Sequence, residues 1–334
     1  MSAVLSPRAA AAARRQLPLI TLYLSHRCNS RCVSCDYWRH GTGDMTLQSV
    51  ARLLPSLESF GTRLVLISGG EPLVNPEWAQ IAALLRSHGL DLWLLTSGLS
   101  LAKHAEQVAR WFGRVTVSLD GTNADTYAAI RGVNAFEPVC EGIRSIAARG
   151  VETGLRVTVQ RRNHAELADF VRLGQALGVR QVSFLPADVA NPHVFGREAG
   201  FVSDLALRAQ DLPRFAELID RAEVEFAEEF ASGFIAENPE KLRRLVQYFA
   251  AVLGRADYPP VRCNAPEFSA VIQADGDVRP CFFIPGTTNV RAGADVADAL
   301  DGESMRALRH DIRAGARREC ATCVCSVWRE GGAL

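Results

Sequence analysis

Six short runs of β-branched and apolar residues, Ile20–Leu24, Leu64–Ile67, Leu92–Leu95, Val115–Leu119, Leu155–Val159 and Gln181–Leu185, recur along the first half of the chain. The segments between them carry apolar residues at spacings of three and four, such as Val50, Leu53, Leu54 and Leu57 or Ile81, Leu84 and Leu85. That is the period of a half-buried helix. Strand and helix alternating six times predicts parallel strands, because such strands need a crossover and the favoured crossover is right-handed. The fold class is therefore α/β. An open doubly wound sheet and a partial (β/α)6 barrel of TIM type both satisfy the spacing, and in both the chemistry gathers at the carboxyl ends of the strands.

After Pro186 the rhythm gives way to a charge-rich region with helices expected over Leu212–Ala231 and Pro239–Leu253. The tandem prolines of Tyr258-Pro259-Pro260 stop that pattern. Ser269–Gln273 and Val278–Cys281 then flank Ala274-Asp275-Gly276-Asp277, where Asp-Gly supplies the backbone angles of a tight reversal, so a β-hairpin is expected, followed by a helix near Glu303–Ala314. A length of 334 residues suits roughly two domains, or one barrel with an appendage. The expected divisions are a disordered lead-in over 1–18, a barrel core over 19–186, a helical extension over 187–260 covering the barrel mouth, and a small α+β unit over 261–334.

Lys and Arg (37) cancel Asp and Glu (37), which leaves no net field to draw nucleic acid or anionic lipid, so neither is an expected partner. No apolar stretch approaches the roughly 18 residues of a membrane span, and Ala9–Ala13 is too short for a signal-peptide core. Arg8, Arg14 and Arg15 among alanines read as a frayed terminus rather than an organellar transit peptide, and a cytoplasmic protein is expected.

The nine cysteines fall into two groups, Cys28, Cys32 and Cys35, then Cys263, Cys281, Cys320, Cys323 and Cys325, with Cys140 between them as a small buried hydrophobe. Clustered thiols in an odd number point to metal ligation in a reducing compartment, not to disulfides. Three thiolates on one loop after the first strand suit an iron-sulfur cube with one iron left open; the alternative is a zinc site completed by His26 or His40. In the later group four thiolates would close a cluster, and a four-cysteine zinc site uses the same donors. The strand ends add Ser68-Gly69-Gly70-Glu71, Thr96-Ser97-Gly98, Ser118-Leu119-Asp120-Gly121 and Gln160, followed by Arg131-Gly132. Glycines allow close backbone approach, and small hydroxyls or carboxylates there can meet a ligand or cap the following helices.

The run Cys28-x3-Cys32-x2-Cys35 after a first strand, with Gly69-Gly70-Glu71 after the second, resembles the radical S-adenosylmethionine (SAM) superfamily over residues 20 to about 185. Ser34 departs from it, standing where the family usually has an aromatic. The resemblance implies a partial barrel with a [4Fe-4S] cluster on Cys28, Cys32 and Cys35 whose open iron chelates SAM. It also implies that Glu71, with Gly69 and Gly70, holds the SAM amino group. Ser97, Ser118, Asp120 and Arg131 would meet its ribose and carboxylate, and Gln160 would be a weaker contact. The Cys263 to Cys325 region resembles the SPASM or shortened twitch extension, without the full run of late cysteines that supports two auxiliary clusters. This implies one auxiliary [4Fe-4S] cluster on Cys263, Cys281, Cys320 and Cys323, with Cys325 as the alternative to Cys323.

The activity so implied is reductive cleavage of SAM to a 5'-deoxyadenosyl radical that takes a substrate hydrogen for an oxidative modification, with a flavodoxin- or ferredoxin-type reductant as partner. About 18 residues precede the first strand, which leaves no room for a leader-peptide domain and favours a small molecule or a separately presented peptide. The molybdenum-cofactor cyclase is a near relative, and Gly331-Gly332 fits it, but its second cysteine set is spaced differently. A non-catalytic iron-sulfur carrier or redox sensor is the alternative class. Asp188, His193, Arg197 and Glu198 are expected near the barrel mouth, with no pattern that names a general base.

Overall fold

A computed structural model describes residues 15–191, 194–197, 204–291 and 293–330. His193, Glu198, Gly331, Gly332 and the alanine-rich start lie outside the described residues. The six expected strands are present as β1 (Leu19–Ser25), β2 (Leu64–Gly69), β3 (Asp91–Thr96), β4 (Arg114–Ser118), β5 (Glu152–Val159) and β6 (Gln181–Pro186). Each pairs in parallel with the next, and the order β6-β5-β4-β3-β2-β1 never reverses. A doubly wound sheet reverses its order at a switch point. An unreversed order of right-handed crossovers keeps the helices on one face, so the structure is a partial barrel.

Alternation along the strands separates the two faces. In β5 Leu155, Val157 and Val159 are buried, whereas Arg156 and Thr158 between them are partly exposed. The helices present matching stripes: Leu47–Ser59, capped by the Thr46 side chain on Ser49 N, buries Val50, Leu53, Leu54 and Leu57.

The region expected as one helix over 212–231 is two, Asp211–Glu225 and Ala227–Ala231, because Phe226 leaves helical geometry at ψ 36°. Asn238 caps Pro239–Val252 by accepting from Lys241 N, and Pro239 occupies the first turn, where its missing N–H costs nothing. The segment between these helices covers the free edge of β6: Val182 N donates to Phe234 O and Ala236 N to Val182 O. Glu237 reinforces the join by accepting from Ser183 Oγ at 2.9 Å and Phe184 N at 2.7 Å.

The expected hairpin forms from β7 (Ser269–Ile272) and β8 (Asp277–Arg279), with Gly276 at φ +88° in the reversal and a short β9 (Thr288–Asn289) beyond. β7 also pairs in parallel with β1, so the C-terminal unit extends the barrel sheet to nine strands. The lead-in over 15–18 is ordered, contrary to expectation. Leu17 is fully buried and donates to Phe60 O, and Arg15 pairs with Glu267 and Asp301. Among the described residues no helix is long and apolar enough to cross a membrane.

Candidate functional site

The loop after β1 is fixed from two sides. Gly70 N donates to Ser25 O at 2.8 Å and Glu71 N to Arg27 O at 2.9 Å, continuing the β1–β2 pairing past the strands. A Cβ on Gly70 would collide with the Arg27 and His26 carbonyls, so this glycine pair serves close approach of the cysteine loop. From the other side, Arg31 N donates to Arg131 O and Val33 N to Ile130 O, both at 2.9 Å, and Ser30 Oγ donates to Arg131 O at 3.1 Å. The last carbonyls of the helix Ala124–Arg131 lack intrahelical partners, and the loop satisfies them. Gly132, at φ +70°, makes room for Arg31.

On this loop Ser30 N donates to Cys28 Sγ at 3.4 Å, and Ser30 Oγ lies 3.3 Å from Cys32 Sγ. Burial pushes the Cys28 and Cys35 thiols up to about 12, and each also feels Cys32. Three neighbouring, half-buried thiols fit a cationic iron-sulfur group, which offsets the cost of their ionisation. Among the described residues no three His, Cys, Asp or Glu side chains converge as ligands of one ion. Zinc needs its sulfurs about 2.3 Å from one centre, whereas a cube binds each thiolate at a separate iron. His26 is engaged elsewhere, stacked on Tyr37 at 5.5 Å and 3.1 Å from the Gln273 amide. In the orientation that satisfies both ends, that amide donates to His26 and accepts from Arg279. His40 closes the short helix Tyr37–His40 with N donating to Asp36 O.

The strand-end residues divide into those already bonded and those left open. Glu71 is fully buried and accepts from Thr96 Oγ1 at 2.8 Å, Ser97 N at 2.7 Å and Leu73 N at 3.1 Å, which ties β2 to β3. Ser97 Oγ donates to Asn29 Oδ1 in the cysteine loop at 3.3 Å. Asp120 accepts from Thr158 N at 2.7 Å and from Arg131 Nη1 at 3.0 Å, so this buried pair faces inward. Ser118 sits opposite Arg156 in the sheet register. Gln160 is fully buried with neither amide atom partnered, an open donor and acceptor at the β5 end that fits a polar ligand such as SAM.

Arg197 and Asp188, both expected near the barrel mouth, are joined to each other. Arg197 Nε donates to Ser34 O at 3.0 Å and its Nη1 to Asp188 O, fastening the segment after β6 to the cysteine loop. Asp188 accepts from Ala190 N and Asn191 N on Oδ1, while Oδ2 is buried without a partner. Sequence reasoning missed Tyr23; its buried hydroxyl feels both Cys35 and Cys281, and its ring lies 6.1 Å from Tyr37 and 6.2 Å from Phe282.

In the second thiol group, burial pushes Cys281 up to about 12, with Cys320 and Cys263 as neighbouring thiols. Cys323 is raised by burial and feels Cys325, Cys281 and Cys263. Asn264 N donates to Val327 O at 2.9 Å, which holds the last thiols beside Cys263. Cys325 shares Cys263 as a neighbour, but its others are Arg156, Lys241 and Glu237. Cys140 lies in the core of the helix Phe136–Ala147, as expected.

Residues 22–174 match the family described as the radical SAM superfamily, and residues 263–324 match SPASM, an iron-sulfur cluster-binding domain. A probable GTP 3',8-cyclase of Saccharolobus solfataricus is 32% identical over 177 residues, 51% of this chain and 57% of that protein, so the likeness spans about half of each. The Fe-coproporphyrin III synthase of Methanosarcina barkeri is 26% identical over 333 residues, 92% of this chain and 80% of that protein. Among solved structures, Streptococcus suis SuiB bound to S-adenosylmethionine aligns at a TM-score of 0.66 and 14% identity, covering 94% of this chain and 73% of SuiB. The enzyme anSMEcpe with bound AdoMet and a Cp18Cys peptide aligns at 0.64 and 18% identity, covering 92% of this chain and 89% of that one. With the cysteine loop, the second thiol group and both family matches in register, the chain belongs to the radical SAM superfamily as an enzyme with a C-terminal SPASM domain, and its cofactors are SAM and [4Fe-4S] clusters.

Proposed function

We propose that this chain carries out an oxidative hydrogen-abstraction reaction on a small molecule or peptide, with Cys28, Cys32 and Cys35 holding the SAM-binding cluster and Cys263, Cys281, Cys320 and Cys323 an auxiliary one. The observation that carries this reading is the pairing of an open three-thiol loop with a four-thiol set across one buried residue, Tyr23. When bound, the cluster and SAM supply a carbon radical that removes a substrate hydrogen atom, and a fully ligated second cluster supplies an acceptor for the remaining electron. Cys323 neighbours both Cys281 and Cys263, whereas Cys325 neighbours Cys263 but not Cys281, which favours Cys323 as the fourth ligand.

The chain's own residues bind, orient and exclude water. Gln160 offers an unpaired donor and acceptor to SAM at the β5 end. Glu71 and Ser97 hold the β2 and β3 ends against the cysteine loop through Asn29, and Glu71's role toward the SAM amino group rests on its remaining acceptor capacity. Asp188, with one unpartnered carboxylate oxygen, is the group best suited to accept a proton from substrate, and burial raises its pKa toward that task. SuiB has been solved with its precursor peptide SuiA and anSMEcpe with a Cp18Cys peptide, which supports a peptide as one substrate class.

The three local donors already on Glu71 favour one rival, an iron-sulfur carrier or sensor without SAM chemistry. Anaerobic reconstitution with reductant and SAM separates the two. The proposed enzyme yields 5'-deoxyadenosine and iron and sulfide near about eight each per chain, the content of two cubes. A carrier yields no 5'-deoxyadenosine, and iron near about four with zinc present would refute the auxiliary cluster.

A further inference from the structure

Arg131 was expected to clamp a carboxylate of the cofactor, and its surroundings point elsewhere. Its side chain is buried, and Nη1 is committed to Asp120 Oδ2 at 3.0 Å. Asp120 is itself locked, since its other oxygen takes Thr158 N and its carbonyl takes Asn163 Nδ2 at 3.0 Å. Arg131 Nε is buried without a hydrogen bond of ordinary geometry, and the Tyr127 hydroxyl, unpartnered in the same way, is a close neighbour of the guanidinium. A buried, poorly paired guanidinium donor is costly, and so it marks a place where an acceptor belongs. The ionisable groups that interact with this guanidinium are Cys32, Asp120 and Tyr127. Ser30 Oγ, 3.3 Å from Cys32 Sγ, also donates to the Arg131 carbonyl, so one residue supports this loop through its backbone and faces it with its side chain.

We propose that Arg131 is a positioning residue of the iron-sulfur site: Asp120 anchors its guanidinium so that a fixed cation stands at the Cys32 side of the loop, raising the cluster's reduction potential. This rests on the reading that Cys28, Cys32 and Cys35 carry the cluster. Reduction adds negative charge, so a fixed cation beside the cluster favours the reduced state. The Asp120 carboxylate opposes part of that effect. Removing the cation and removing its counter-charge therefore shift the potential in opposite directions, a signature that mere loosening of the loop does not give.

The test is an EPR-monitored redox titration of the reconstituted full chain, with the SAM-site signal identified by its change on adding SAM. Arg131→Met shifts the midpoint of that signal to more negative values, Arg131→Lys recovers part of the shift, and Asp120→Asn moves it to more positive values. Equal midpoints in all variants, or a shift of the same sign in Arg131→Met and Asp120→Asn, overturn the proposal. If Arg131→Met fails to hold iron at this site, the isosteric Asp120→Asn decides alone: a positive shift supports the proposal, and no shift or a negative one overturns it. A wild-type chain without a SAM-sensitive cluster signal overturns the underlying reading and this inference with it.

Discussion

Asp188 illustrates how a single group can be placed by sequence and yet its condition remain hidden. Its position past β6 follows from the strand pattern, but the loss of a partner for Oδ2 depends on how the loop folds back with Arg197. Arg197, Tyr248 and Tyr258 are the charged or titratable groups facing it, and burial raises its pKa above the ordinary 3.8. A carboxyl whose folded pKa is raised lends stability that is present below the unfolded value and is lost as pH rises through the folded one. Asp188→Asn keeps the Oδ1 acceptor and lacks that loss. Denaturation curves across acid and neutral pH are expected to coincide with wild type at low pH, with the variant more stable above the raised pKa. The same variant is expected to slow product formation while leaving SAM cleavage intact, measured as 5'-deoxyadenosine against modified substrate. Gln160 and Glu71 carry the same lesson: motif and strand end gave their location, but not that the amide is unpaired while the carboxylate already holds three donors.

At the scale of elements, the six barrel strands and their order of appearance were legible because the period-two and period-three-four patterns are strong and uninterrupted. The break at Phe226 was not, since a short apolar-charged stretch fits one helix or two equally well. The helix Ala124–Arg131 was visible only as Arg-Gly after a strand, yet its C-terminal carbonyls carry the cysteine loop. Gly132 is essential to that arrangement, because φ +70° and the Arg31 carbonyl together exclude a side chain. Gly132→Ala is expected to cost about 1–3 kcal/mol from the strained backbone alone. The variant should lower thermal stability and reduce iron retention by the loop; a variant with wild-type melting and iron content would contradict this account of the loop's support.

For the whole molecule, the cysteine groups announced two sites, but sequence gave no sign that β7 would pair with β1 and join both sites to one sheet. A parallel pairing between strands so distant in sequence has no local signature. The join explains why His26 beside the first group reaches Gln273 after β7, and why Tyr23 on β1 lies between Cys35 and Cys281. The choice between a doubly wound sheet and a barrel was likewise closed only by strand order. The central claim is that Cys28, Cys32 and Cys35 bind a cluster with an iron left for SAM. The most direct measurement is EPR of the reduced Cys320→Ala/Cys323→Ala chain before and after SAM is added, so that the auxiliary signal does not intrude. A single [4Fe-4S] signal whose line shape changes on SAM binding is predicted; a signal that SAM leaves unchanged, or a site filled by zinc, would contradict the account.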